Sequence, residues 1–153
     1  MRLLSIDPGE TSGLAVFEVI DGRPVLIGTW EATRDPIDVF VRAFFGILQT
    51  VKPTIVVLED YRIYASKAAL HIGQHLKTAE LIGSIEALCA MVVPPLKTAR
   101  LPASKKGRWP DARLKEKFPE ILELRSPHIR DAAVLGLAYI EKELGWRPMS
   151  VSE

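Results

Sequence analysis

Three acidic side chains and one histidine occupy positions from which they could act together. Asp7 and Glu59 each end a short apolar run of the kind that forms a buried strand. His128 and Asp131 are three residues apart at the start of a predicted helix, so they share one helix face. Each residue alone could be an ordinary turn former, a partly buried acid or a helix-terminus charge. Their combined placement favours one shared site.

Three carboxylates and an imidazole together suit hard divalent cations. Mg²⁺ binds a few carboxylates and retains several waters, and Mn²⁺ accepts similar ligands. Two such ions roughly 4 Å apart can activate a water and stabilise the leaving oxygen of a phosphodiester. Without metal, close carboxylates would raise one another's pKa. The residues therefore predict metal-dependent phosphoryl chemistry with Mg²⁺, two ions per site and Mn²⁺ as a substitute.

Sequence patterns along the chain predict the elements that position these residues. Strands are expected over Leu3–Asp7, Gly13–Val19, Pro24–Trp30, Thr54–Leu58 and Met91–Val93, with a hairpin turn at Asp21-Gly22. Helices are expected over Ile37–Val51, within Ser66–Ala90, over Trp109–Phe118, and from an N-cap at Ser126 to Gly145. This order predicts an α/β fold: a five-stranded mixed sheet, with a three-stranded antiparallel meander followed by parallel strands, and helices on both faces. Asp7 and Glu59 would meet if the first and fourth strands were neighbours.

Length and composition predict one ordinary globular domain. The chain has 153 residues, of which 48% are hydrophobic, and residues 1–153 are expected to form a single domain. Its one cysteine, Cys89, excludes an intrachain disulfide and is expected to be structural. The sequence shows no signal peptide and no apolar run long enough to span a bilayer, so we expect a cytoplasmic protein with no membrane partner.

Charge is unevenly distributed along the chain. The formal net charge is only +1, which would argue against a nucleic-acid partner. Residues 96–117, however, hold eight basic and two acidic side chains, a local charge of +6, while the rest of the chain carries −5. This asymmetry favours an anionic partner, although a solvated basic loop is an equal alternative on charge alone.

Three motifs, in matching order, resemble those of RuvC-type Holliday junction resolvases. The segment from Ser5 to Val16 resembles their opening Asp-Pro-Gly turn and second strand, with Glu10 at a position where a small hydroxyl residue is common. The segment from Val56 to Glu59 resembles their central strand with its terminal Glu, and His128 to Ala133 resembles their last motif. The small size and divergent middle are most similar to phage-borne members.

The resemblance implies an RNase H-like fold, a homodimer, and metal-dependent cleavage of four-way DNA junctions in a bacterial or phage-infected cell. Paired active sites would make symmetric nicks that leave 5′-phosphate and 3′-hydroxyl ends. Asp7, Glu59, His128 and Asp131 carry over as the catalytic and metal-binding set. His128 could either bind metal or move a proton.

A DNA partner gives the basic segment a function. Candidates for phosphate contact are Lys97, Arg100, Lys105, Lys106 and Arg108. Tyr61 and Tyr64 could stack on bases or pack within the protein. Trp109 could likewise be a DNA contact or a core anchor. The apolar run Leu81, Ile82, Ile85 and Leu88 could form a dimer face or part of the core.

Other functions fit parts of the same pattern. An enzyme of this fold could cut other branched DNA or structured RNA, and a non-catalytic module could bind junctions without cutting them. The Asp-Pro-Gly-Glu-Thr-Ser-Gly segment is also similar to the phosphate loop of actin-like kinases and ATPases. Those proteins need two such domains around a nucleotide, so we expect no nucleotide cofactor here.

Overall fold

Five strands form one mixed sheet in the order β3-β2-β1-β4-β5. The computed structural model describes residues 1–60 and 76–146. The strands are β1 (Arg2–Asp7), β2 (Thr11–Ile20), β3 (Arg23–Thr33), β4 (Ile55–Asp60) and β5 (Lys97–Pro102). β1, β2 and β3 form an antiparallel meander, and β4 runs parallel to both β1 and β5. The predicted mixed sheet is confirmed.

Helices connect and cover these strands. They are α1 (Ile37–Val51), α2 (Lys77–Met91), a 3₁₀ helix (Ala103–Arg108), α3 (Asp111–Lys117), α4 (Pro119–Leu122) and α5 (Pro127–Glu143). Among the residues described, no helix is both long enough and apolar enough to cross a membrane.

Local sequence signals explain where several elements begin and end. Asp21 and Gly22 have φ of 50° and 76°, which is the left-handed pair that a tight two-residue hairpin requires. Ser126 accepts a hydrogen bond from the backbone N–H of Ile129 and caps α5, with Pro127 at its first position. Gly145 has φ of 67° just beyond the end of α5. The predicted hairpin and both predicted ends of α5 are therefore confirmed.

The sheet separates two apolar clusters, because successive residues of a strand point to opposite faces. Leu4 and Ile6 of β1 pack with Phe40 and Phe44 of α1 and with α2. Leu3, on the opposite face, packs in the cluster that contains α5, α3 and α4. β1 and the middle of β4 are buried on both faces, as expected for the centre of a sheet with parallel pairing.

The predicted strand over Met91–Val93 is wrong. Met91 is the last residue of α2, and Val93 is 95% exposed in the loop that follows. The fifth strand is Lys97–Pro102, inside the basic segment that is predicted to face DNA. β5 is an edge strand, so it needs little apolar surface, and its polar sequence gave no strand signal.

The other helical predictions are confirmed in their main features. α1 has the predicted bounds, and α2 occupies the second half of the predicted helical region. Leu81, Ile82 and Ile85 are buried in the α1 and α2 cluster, which favours the core alternative for this run. Cys89 is fully buried, and burial together with the Glu86 charge raises the pKa of its thiol to about 11.

Candidate active site

The pairing of β1 with β4 brings the first two candidate acids together. These strands are parallel and in register from Leu3 opposite Ile55 to Ile6 opposite Leu58. The next step along both strands therefore places Asp7 beside Glu59 at the carboxyl edge of the sheet. Both side chains are mostly buried, with 17% and 23% exposure. The predicted convergence of Asp7 and Glu59 is thus found.

The N-terminal end of α5 brings His128 and Asp131 to the same edge. The His128 Nδ1 atom lies 3.9 Å from Asp7 Oδ2. The approach depends on Gly13, which pairs directly with Asp7 in the sheet. A Cβ atom on Gly13 would lie 2.0 Å from the carbonyl oxygen of His128. Glycine at this position lets α5 contact the backbone of β2, and this contact sets the height of His128 and Asp131 above Asp7.

A lysine occupies the centre of the acidic cluster. The Lys106 Nζ atom is 2.9 Å from Asp7 Oδ1 and 3.1 Å from Asp131 Oδ2, and it also contacts Glu59 Oε2. Lys106 lies in the 3₁₀ helix that follows β5, and only 18% of its side chain is exposed. Four elements of the fold thus meet at one ammonium group.

The charges of the cluster depend on one another. Burial raises the pKa of Glu59, the Lys106 ammonium opposes that rise, and the neighbouring Asp7 carboxylate adds to it. Burial acts against the charged form of Lys106, but hydrogen bonds to Glu59 and Asp7 outweigh burial and raise its pKa. Lys106 therefore remains an ammonium at neutral pH.

The donor chemistry of the cluster fits a hard divalent cation. In residues 1–60 and 76–146, no three Asp, Glu, His or Cys side chains are arranged so that they could hold a metal ion, and the three carboxylates surround Lys106 instead. Their oxygens nevertheless converge on one positive charge, which marks a point where the local field favours a cation. Carboxylates on rigid strand ends and on a helix are suitable Mg²⁺ ligands.

The predicted DNA-binding side chains lie in different surroundings. Lys97 is exposed at the start of β5, level with Ile55, and thus about 13 Å along the sheet from the Glu59 level. Lys105 is half-buried beside Lys106 in the 3₁₀ helix. Of these three lysines, only Lys106 reaches the carboxylates.

The two predicted arginines are held by acids of neighbouring helices. Arg100 donates to both carboxylate oxygens of Glu86 on α2, at 2.7 and 2.6 Å. Arg108 donates to Glu141 on α5 at 3.2 Å. Tying each guanidinium to a carboxylate reduces its attraction for phosphate, so Lys97 and Lys105 are the stronger remaining candidates.

Of the three aromatic candidates for DNA contact, one lies in the core and two lie outside the described residues. Trp109 is 2% exposed, stacks on Trp146 with ring centroids 5.8 Å apart, and packs edge-on against Phe118. It is a core anchor and not a DNA contact. Tyr61 and Tyr64 lie outside the described residues.

Sequence reasoning did not foresee two features of the site. Lys106 was a phosphate-binding candidate, and nothing in its local sequence indicated a contact with Asp7, 99 residues away. Gly13 was part of a motif, but its contact with the His128 backbone was not apparent. The available sequence signal was Trp109, three residues after Lys106, because a tryptophan can anchor such a segment to the core. In the structure Trp109 is buried.

Comparison with known proteins shows which fold this is. Neither a protein-family model nor a curated protein matches the sequence. Among solved structures, RuvC of Thermus thermophilus in complex with a Holliday junction substrate superposes with a TM-score of 0.70 at 16% identity, covering 95% of this chain and 96% of that one.

Two further structures give similar agreement. The Fowlpox virus resolvase bound to Holliday junction DNA has a TM-score of 0.64 at 17% identity, covering 94% and 99% of the two chains. The yeast mitochondrial Holliday junction resolvase Ydc2 has a TM-score of 0.62 at 14% identity, covering 90% of this chain and 77% of that one. The chain therefore has the RuvC-like, RNase H-like fold, and the predicted fold class is confirmed.

Proposed function

We propose that this protein is a Holliday junction resolvase, an endonuclease that nicks four-way DNA junctions. One observation carries the proposal: carboxylates from β1, β4 and α5 converge at one edge of a sheet whose fold is shared with three junction resolvases. Two of those relatives are complexes with junction DNA. Fold alone does not identify an activity, so the acid cluster is the decisive part.

The proposed reaction is hydrolysis of a phosphodiester. The oxygen of a water attacks phosphorus, the bond from phosphorus to the 3′ oxygen breaks, and that oxygen takes up a proton. The products are the 5′-phosphate and 3′-hydroxyl ends that a ligase can rejoin. Asp7, Glu59 and Asp131 would hold Mg²⁺, and His128 would complete this set as a fourth ligand or as a proton carrier.

Two bound cations would supply the activated water and the charge that stabilises the leaving oxygen. The protein's own contribution is to fix the positions of the carboxylates. Asp7 and Glu59 lie on paired central strands, and α5 is held against β2 at Gly13. This rigid placement is what a reaction with a strict in-line geometry requires.

Junction binding is proposed to depend on backbone phosphates and on symmetry. Lys97 and Lys105 are the candidates for phosphate contact, which would give affinity without sequence readout. A homodimer would present two active sites to the two-fold axis of a four-way junction and so produce paired nicks. Residues 1–153 are proposed to be one nuclease domain.

A cleavage assay with a matched control tests the proposal. Purified protein is incubated with a labelled four-way junction and Mg²⁺, beside Asp7→Asn and Asp38→Asn. The control makes the same chemical change at an exposed acid of α1 that pairs with Arg42. Loss of several kcal/mol of transition-state stabilisation predicts a drop of about 10³-fold for Asp7→Asn, with Asp38→Asn unchanged. Full activity of Asp7→Asn, or no cleavage with any divalent metal, would refute the proposal.

Substrate choice separates the resolvase from the alternatives. A flap, a hairpin and a structured RNA of equal length are assayed beside the junction. Equal cleavage of all substrates would favour a general nuclease for branched DNA or RNA. Junction binding that is unchanged in chelator and never leads to cleavage would favour a binding module.

A further inference from the structure

The ammonium of Lys106 lies where the acidic cluster focuses negative charge. Its Nζ atom contacts one oxygen of each of the three carboxylates, and these come from β1, β4 and α5. Lys106 is thus the shared partner of side chains that lie 99, 47 and 25 positions away in sequence. One positive charge offsets three negative ones, so the cluster retains an excess of negative charge.

The backbone that carries Lys106 is firmly anchored. The Trp109 N–H donates to the Lys106 carbonyl oxygen at 3.0 Å, and the Trp109 ring is buried among Phe118 and Trp146. The Arg113 guanidinium carbon lies 3.9 Å above the Trp109 ring. A fixed backbone with a long, flexible side chain allows the ammonium to move while the 3₁₀ helix stays in place.

A divalent cation and the ammonium would compete for the same oxygens. Mg²⁺ binds oxygen at about 2.1 Å, so an ion held by Asp7, Glu59 and Asp131 would lie within a few ångströms of the present Nζ position. The ammonium already occupies the point where the three carboxylate oxygens converge, so an ion that binds all three needs the space that Nζ now fills. The lysine must therefore leave when the metal enters.

We propose that Lys106 is a built-in counter-cation that holds the three carboxylates together until a divalent metal displaces it. The inference rests on the proposed metal-dependent function and adds a control of metal affinity to it. A site that is free of its lysine in only one-tenth of the molecules binds metal about tenfold more weakly than a free site. Lys106 would thus set the metal concentration at which the enzyme becomes active.

The wild-type protein provides the first test. Lysines are dimethylated with formaldehyde and cyanoborohydride, with saturating Mg²⁺ or with KCl of equal ionic strength, and labelling is measured by mass spectrometry. Displacement by metal should make Lys106 react several-fold faster, while the adjacent Lys105 keeps its rate. Equal labelling of Lys106 with and without Mg²⁺ would overturn the inference.

Metal affinity provides the second test. Mn²⁺ binding is measured by calorimetry for wild type, Lys106→Met, Lys106→Arg and the matched charge removal Lys105→Met, with thermal melts to establish that each variant is folded. Lys106→Met should bind Mn²⁺ about tenfold more tightly. Lys106→Arg keeps a cation at this position, so its Mn²⁺ affinity should remain close to that of wild type. The Mn²⁺ affinity of Lys105→Met should also be close to that of wild type.

The outcomes separate the two proposals. If Lys106→Met binds Mn²⁺ no more tightly than wild type does, the counter-cation role is wrong and the resolvase proposal is untouched. If metal displaces Lys106 but no junction is cut, the inference holds and the resolvase proposal fails. If neither the wild type nor Lys106→Met binds a divalent metal, both proposals fail.

Discussion

The two faces of the sheet are covered in different ways. On one face, α1 and α2 form a single layer that packs through large side chains such as Phe40 and Phe44, and Val39 and Phe45 are partly exposed on its outer side. On the other face, α5 packs through small residues, and the nine consecutive residues from Ala132 to Ile140 are buried. α3, α4 and Trp109 add a further layer around it.

This difference matches where the candidate catalytic residues lie. α1 and α2 pack on the sheet through large side chains, and neither helix contributes one of the four candidate catalytic residues. Small residues bring the backbone of α5 against the strands and leave it little room to move, and α5 carries His128 and Asp131. We therefore expect changes at the contact of α5 with the sheet to affect cleavage, and changes in the α1 layer to affect mainly stability.

Gly13→Ala should have the largest effect on stability and cleavage together. Its Cβ would meet the His128 backbone at 2.0 Å, so the first turn of α5 must move away from Asp7. We expect destabilisation of about 3 kcal/mol or more, and a cleavage loss of about 10²-fold in the folded fraction. Denaturant unfolding and junction cleavage measure the two effects.

Gly83→Ala is the matched control for Gly13→Ala. Gly83 lies within α2, and a Cβ there would have no neighbour within 4 Å. We expect stabilisation of about 0.5–1 kcal/mol, because alanine is the better helix former. A Gly13→Ala protein as stable and active as Gly83→Ala would show that the contact between β2 and α5 does not position the site.

Phe40→Ala tests the opposite face. Phe40 is 1% exposed and stacks with Phe44, so truncation leaves a cavity between α1 and the sheet. The expected loss is about 3–5 kcal/mol of unfolding free energy. Cleavage per folded molecule should stay within about threefold of wild type, because Phe40 packs on the face of the sheet opposite α5 and its truncation changes stability more than site geometry. A much larger loss of cleavage would mean that the α1 layer also positions the carboxylates.

Gly136→Ala probes the middle of α5 and should reduce stability less than Gly13→Ala does. Its Cβ would lie 2.7 Å from Ser5 Oγ and 2.8 Å from the Phe17 ring, both of which are buried. Side chains can yield by a few tenths of an ångström where a backbone cannot, so we expect a loss of about 1–3 kcal/mol. Cleavage should fall less than in Gly13→Ala, and unfolding curves beside single-turnover rates would distinguish the two glycines.

The sequence predicted the parts of the fold that depend on local pattern. Apolar runs and helical spacing identified β1 to β4, and turn and capping residues identified the hairpin and the ends of α5. β5 was missed because an edge strand can be polar. The apolar residues Met91 to Val93 resembled a strand although they end α2 and begin a loop.

The candidate site was predictable to a different extent. Acids at the ends of adjacent parallel strands must converge, so the meeting of Asp7 and Glu59 followed from the strand order. Lys106 reaches them through the turn that β5 makes into the 3₁₀ helix, and the contact of Gly13 with α5 joins residues 115 positions apart in sequence. Such contacts arise from tertiary packing, which local spacing does not encode.

Glu141→Gln tests the outer layer around α5 and should have the smallest destabilising effect. Glu141 accepts hydrogen bonds from Arg113 on α3 at 2.8 Å and from Arg108 at 3.2 Å. Burial opposes its charge, but the two arginines outweigh burial and hold the pKa of Glu141 below its usual value.

A lowered folded pKa means that this stabilisation is complete above the unfolded pKa of about 4.3 and is lost as the pH falls through the folded value. Glu141→Gln should therefore be less stable than wild type by about 1–2 kcal/mol at pH 7. The difference should shrink below about pH 4, where the wild-type carboxylate takes up a proton. Urea unfolding of both proteins between pH 3 and pH 7, taken as test conditions, measures this, and a difference that stays constant with pH would show that the arginines do not hold the outer layer through the Glu141 charge.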